Sequence, residues 1–202
     1  MPAKILFLRS LRPAVHLFAA IPLILIGYQL WFNPLAFADP VEYLTHFSGE
    51  NALRLLLLSL AVTPIAKRLK QPLVIRLRRP IGLWCFAYAS LHLGVWLSLD
   101  LQFQWALIGE EIVQRNYLLV GFAAWAIMLP LAITSLPALQ RALGNRWKKL
   151  HHWVYLVALL APLHFIWSVK SGLTEPLIYL AAALMLLSFR YRTLTKYIRA
   201  RQ

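Results

Sequence analysis

The chain has 202 residues, of which 60% are hydrophobic and only 14% charged, and its mean hydropathy is +0.63. A soluble domain of this size is about half apolar and about a quarter charged, so a water-soluble globular fold is excluded and an integral membrane protein is expected. The formal net charge of +14 would suit a nucleic-acid binder, but the placement of the charges argues for membrane topology instead.

Six apolar segments predict an all-α bundle of six transmembrane helices, forming one membrane domain over residues 1–202. The first span, Ala14–Trp31, ends in Trp31-Phe-Asn-Pro34, an interfacial aromatic followed by a turn; with no small-residue cleavage pattern, it reads as retained rather than as a signal peptide. A long outer connection, Asn33 to Glu50, leads to the second span, Asn51–Ala66, which closes near Thr63-Pro64. The third span, Pro80–Ser98, carries Cys85, the only cysteine, so an intrachain disulfide is impossible. The acidic, amphipathic connection Leu99–Asn116 reads as a short helix on the membrane surface. The fourth span is Tyr117–Leu136, the fifth Leu150–Ser168 and the sixth Pro176–Phe189.

The charges sort by side. Lys4, Arg9, Arg12, Lys67, Arg68, Lys70, Arg76, Arg78, Arg79, Arg141, Arg146, Lys148, Lys149, Arg190, Arg192, Lys196, Arg199 and Arg201 fall on one face, 18 of the 21 basic residues. Arg54, Arg115 and Lys170 fall on the other, with all seven acidic residues. The positive-inside rule puts both termini in the cytoplasm. The basic excess is then a contact with anionic membrane lipid, and no nucleic-acid partner is expected.

Three histidines carry the chemistry. An ionisable side chain inside a span is costly, so it marks a functional site facing the bundle interior. At 1.5 Å per residue, His92 lies about 18 Å along its helix from Pro80, and His164 about 21 Å from Leu150. The third and fifth spans run in the same direction, so the two histidines reach nearly one level, past the midplane toward the outside. His151 lies about 20 Å nearer the cytoplasm. Neutral imidazole is the commonest protein ligand for a transition metal. No Asp, Glu or Cys stands near enough to complete a protein-only metal cage. Haem iron, which needs one or two imidazoles, is the economical candidate. A bis-imidazole b-type haem between His92 and His164 follows, with His151 suited to a second. Thirteen residues on an ideal helix rotate a side chain by about 220°, so His151 and His164 do not share a stripe unless Pro162 re-phases the helix, the alternative being haems in different grooves. Packing or interfacial roles are the expectation for His16 and His152, and a surface position for His46.

At these residues the chain resembles the ferric-reductase-like transmembrane family, and within it the haem-binding membrane subunits of bacterial periplasmic methionine sulfoxide reductase systems. The matching stretches run over almost the whole chain: Asp39-Pro40 with His46-Phe47, Thr63-Pro64, Lys70 to Arg79, Gly82 to His92, Leu150-His151, Tyr155 to His164 and Trp167-Ser-Val-Lys170. The resemblance implies a six-helix bundle in the bacterial inner membrane, holding two stacked haems, each ligated from the third and fifth spans. His92 and His164 then match the outer pair and His151 the inner fifth-span ligand. The inner third-span ligand would fall about fourteen residues before His92, where Arg78 stands. That departure leaves three arrangements open: a five-coordinate inner haem, a ligand borrowed from His16 or His152, or no inner haem. Arg78 and Arg79 acquire a role as clamps for haem propionates or an anionic donor.

The resemblance further implies an electron-transfer subunit rather than a self-sufficient enzyme. Its donor would be a cytoplasmic flavin reductase (FMN) or membrane quinol, and its partner a periplasmic molybdopterin-containing methionine sulfoxide reductase. A cytochrome b that oxidises quinol for another enzyme shares nearly every feature. A non-redox anchor or transporter is disfavoured by the lack of an intramembrane carboxylate or a glycine-broken span. Reporter fusions in the Arg141–Lys149 loop and at Gln202 should read cytoplasm, and one in the Leu99–Asn116 loop periplasm; an external C-terminus would invert the direction of electron flow.

Overall fold

The computed structural model describes residues 2–190, with side chains from residue 11 onward. Arg192, Lys196, Arg199 and Arg201, and the side chains of Lys4 and Arg9, which the topology reading used, lie outside what is described. Among the described residues the structure is helical, with no strand: α1 (Pro2–Phe32), α2 (Pro40–Arg68), α3 (Arg78–Val95), α4 (Trp105–Gln114), α5 (Asn116–Ile133), α6 (Pro137–Leu143), α7 (Asn145–His151), α8 (Val154–Ser168) and α9 (Thr174–Ser188). Short 3₁₀ turns precede α2 and α3, and a π-helical turn, Trp96–Asp100, follows α3.

Five stretches are long and apolar enough to cross a membrane: Leu11–Phe32, Pro40–Arg68, Pro72–Asp100, Asn116–Ile133 and Asn145–Ser168. The sixth expected span corresponds to α9, 15 residues long. At 1.5 Å per residue it measures about 22 Å, short of a hydrocarbon core of about 30 Å. The chain divides into two compact units, Met1–Val113 and Gln114–Gln202.

In the first unit α2 packs against α3, and α1 against α3. Leu53, Leu56, Leu60, Ile81, Cys85 and Tyr88 are buried there. The Tyr88 hydroxyl donates to the Ala19 carbonyl at 2.8 Å and pins α1 to α3. Cys85 is buried, as a small apolar residue would be. The remainder of α1 presents Leu17, Phe18, Ile24, Leu25 and Trp31 outward, an apolar face that a lipid environment solvates and water does not.

The connection expected over Asn33–Glu50 is mostly helix instead. Pro40 opens α2 at its first position, and the Asp39 carboxylate accepts from the Val41 and Glu42 backbone N–H groups, both at 2.9 Å. Proline costs nothing where the N–H has no helical partner, and the cap satisfies two donors that would otherwise be orphaned. Glu42, His46 and Glu50, which fall in the expected connection, are i,i+4 neighbours on this helix together with Arg54: Glu50 and Arg54 pair at 2.6 Å, and Glu42 and His46 approach to 3.9 Å. His46 is exposed, as expected.

In the second unit α8 packs on α5 and on α9. Ala158 on α8 and Ala183 on α9 are fully buried; small residues let membrane helices approach closely where no hydrophobic force drives them together. The fifth expected span is interrupted by a turn at His152-Trp153 between α7 and α8. This break lies between His151 and His164, so the rotation of one continuous ideal helix does not relate them. Gly144, at φ +49°, makes the corner between α6 and α7.

Asp39→Ala should fray the start of α2 at a cost of about 1 kcal/mol. Amide exchange at residues 41–44 should accelerate while the α2–α3 core keeps its protection.

Candidate haem-ligand site

His92 lies on α3, and its ring packs against α2. Its Nδ1 is 2.9 Å from the Thr45 carbonyl oxygen. A carbonyl only accepts, so this contact requires the Nδ1–H tautomer and leaves the imidazole lone pair on Nε2. The ring lies directly over Gly49: a Cβ there would stand 3.0 Å from His92 Nδ1 and 3.1 Å from Cε1.

The second unit repeats the arrangement. His164 on α8 has its Nδ1 2.8 Å from the Tyr117 carbonyl oxygen on α5. A Cβ at Gly121 would stand 2.7 Å from both Nδ1 and Cε1 of that ring. The Tyr117 ring sits 5.8 Å from the imidazole, tilted by 48°. Beside this seat, Gln114, Arg115, Asn116, Tyr117 and Trp167 line a hollow of about 360 Å³, and Arg115 donates to the Tyr117 hydroxyl at 3.2 Å. Both histidines are half-buried.

His151 is held differently. Its Nε2 is 3.2 Å from the Thr134 hydroxyl oxygen. That hydroxyl is 2.6 Å from the Pro130 carbonyl, which must accept its only proton, so the Thr134 oxygen accepts from Nε2–H. The Trp147 ring lies 4.1 Å from the His151 ring, and its Nε1–H donates to the Thr134 carbonyl at 2.9 Å. His151 thus sits in a Thr134–Trp147 clamp with its proton on Nε2, the opposite tautomer to His92 and His164.

Among the remaining expected residues, Arg78 starts α3 and donates from Nε to the Ser59 carbonyl of α2 at 3.2 Å, and Arg79 is exposed. His16 accepts at Nδ1 from the Trp84 indole N–H at 2.9 Å, a packing contact between α1 and α3. His152 meets the Tyr155 ring at 5.8 Å.

Among the described residues no group of three or more His, Cys, Asp or Glu side chains could hold a metal ion. Imidazoles whose Nδ1–H is held by a carbonyl, with Nε2 the basic nitrogen, suit haem iron, whose porphyrin fills the other positions. The donor set therefore fits a haem.

A sequence profile described as "Ferric reductase like transmembrane component" matches residues 48–162. The chain belongs to the ferric-reductase-like transmembrane family. Its similarity also extends beyond that region. The chain is 47% identical over 190 residues to the protein-methionine-sulfoxide reductase heme-binding subunit MsrQ of Cronobacter sakazakii, and 46% identical over 194 residues to that of Klebsiella pneumoniae. Each alignment covers 94% of this chain and 94% of the relative. Within the matched region lie Gly49, His92, Gly121 and His151, with His164 just beyond its end.

Thr45, Gly49, Tyr117 and Gly121 escaped the reading of the sequence as members of the site. A signal was present: Gly49 and His92 are 43 residues apart, and so are Gly121 and His164.

Proposed function

We propose that the protein is a multi-pass haem-binding electron-transfer subunit of the bacterial inner membrane, serving a periplasmic molybdopterin-containing methionine sulfoxide reductase. The observation that carries this reading is the pair of histidines within apolar helices, each with its Nδ1–H held by a backbone carbonyl, the tautomer in which Nε2 is the basic nitrogen. The relatives named as methionine sulfoxide reductase heme-binding subunits supply the system it serves. When bound, haem supplies one-electron redox chemistry; the protein contributes ligation, spacing and exclusion of water.

His92 and His164 ligate a b-type haem, a pairing supported by their equal depth on parallel spans in the sequence. His151 serves a second, inner haem and must exchange its Thr134 contact to present Nε2. Arg78 and Arg79, at the basic end of α3, draw an anionic group: a propionate, the phosphate of FMN, or the head group of a quinol's lipid surroundings. Electrons enter at this basic, cytoplasmic end and leave toward the acidic outer loops.

Replacement of His92 or of His164 by Ala should abolish the bis-histidine low-spin signal of the purified protein. Full haem content with an unchanged spectrum in both variants would refute the pairing. Arg78→Ala and His151→Ala should slow reduction by a flavin reductase or quinol in stopped-flow while leaving the outer haem's spectrum intact; wild-type rates in both would remove the inner entry route.

A further inference from the structure

The two histidine seats share one design, displaced by 72 residues: Thr45 to Tyr117, Gly49 to Gly121 and His92 to His164. In each, an imidazole reaches sideways to a carbonyl oxygen of a neighbouring helix, and the residue four positions after that carbonyl is glycine. The spacing has a physical cause. In an α-helix the carbonyl of residue i already accepts from the N–H of residue i+4, and a second lone pair remains. Every Cα–Cβ bond tilts toward the helix N-terminus, so the Cβ of residue i+4 leans over the oxygen of residue i and shields it from the side. A residue with no Cβ at that position leaves the lone pair open to a flat ring lying over it. The shielding is quantitative here: a Cβ at Gly121 would lie 2.7 Å from the ring, closer than real Cβ atoms come, and one at Gly49 would lie at 3.0 Å, at the limit. By contrast, a Cβ at Gly82, on α3, would meet nothing within 4 Å.

We infer that Gly49 and Gly121 are positioning residues: each opens a helix carbonyl to the Nδ1–H of its histidine, which sets ring plane and tautomer in advance and directs Nε2 to iron. The inference rests on the ligation proposed for His92 and His164, but each seat is a contact within the protein itself and is testable without haem. Glycine elsewhere in a membrane helix serves close helix packing. Here it serves access to a hydrogen bond that fixes a metal ligand, an outer-shell role whose loss typically weakens metal binding by about 10–100-fold.

The test compares Gly121→Ala, Gly49→Ala and the control Gly82→Ala in the full chain in detergent. Haem transfer to apomyoglobin should quicken by about 10–100-fold in Gly121→Ala, less in Gly49→Ala, and not in Gly82→Ala. The low-spin electron paramagnetic resonance spectrum should change in the same order, because rotating an imidazole about its iron bond alters the ligand field. Loss of haem and spectrum equal to the control in both variants would overturn the inference.

A haem-free thermal-unfolding cycle separates the seat from the ligation. Gly121→Ala should lower the unfolding temperature when His164 is present and not in a His164→Ala background, since the clash is with the ring. Should Gly121→Ala alone not fold, recovery of folding in Gly121→Ala/His164→Ala supports the seat, and failure to recover overturns it. Should His92→Ala and His164→Ala both keep haem and spectrum, the ligation reading is lost, and this cycle still decides whether the glycines seat the rings.

Discussion

Backbone groups in a bilayer have no water to turn to, so a span must satisfy its N–H and C=O groups internally. A polar side chain brought into that medium meets neighbours whose hydrogen bonds are already made. The second lone pair of a helix carbonyl is the main acceptor still on offer. This constraint explains why His92 and His164 solve the same problem in the same way, on Thr45 of α2 and Tyr117 of α5. It also explains the partition of each ring. The nitrogen that donates to the backbone is fixed, and the other nitrogen carries the lone pair. A membrane-embedded imidazole anchored to a carbonyl is thereby prepared as a metal ligand, because anchorage decides the tautomer.

The architecture around the first seat follows from the need to extend α2 far enough to supply Thr45. A helix starting at Asn51 would have no carbonyl at that position. The Asp39 cap and Pro40 start the helix early, and Arg54 pairs with Glu50 one turn away on the helix surface. In the second unit Tyr117 lies in the first turn of α5, and Arg115 and Asn116, immediately before it, line the hollow it shares with Trp167. Both seats thus lie on the side of α2 and α5 close to those helices' starts, where each chain segment arrives from an outer connection in the topology read from the charges.

The helical, membrane-spanning character of the chain was legible because it depends on composition and on the length of the apolar segments. The start of α2 was not. Glu42, His46 and Glu50 within a few residues look like loop chemistry, and only the combination of Asp39 cap, Pro40 and i,i+4 spacing identifies them as one helix face. The interruption at His152-Trp153 was equally hidden, since neither residue is a helix breaker. The glycine seats were missed for a different reason. Gly49 and Gly121 act through the atom they lack, and a missing Cβ has meaning only once a ring is placed over it. Scattered glycines carry no such information until the repeated 43-residue spacing to a histidine is measured.

The contrast between the seats and His151 bears on how the inner end works. At His92 and His164 the acceptor is a backbone carbonyl, which cannot rotate away and cannot donate. At His151 the acceptor is the Thr134 hydroxyl, a rotor that can turn, and the ring is stacked on Trp147 rather than seated over a glycine. Such a clamp holds the ring as the Nε2–H tautomer through one side-chain hydrogen bond, worth about 1 kcal/mol net. Arg78 stands where the resemblance would place the opposing inner ligand, and it donates to the Ser59 carbonyl rather than offering a lone pair. Two fixed seats and one adaptable clamp therefore divide the labour. The two carbonyl seats set ring plane and tautomer through backbone that cannot turn, whereas the Thr134–Trp147 clamp holds its ring through side chains that can.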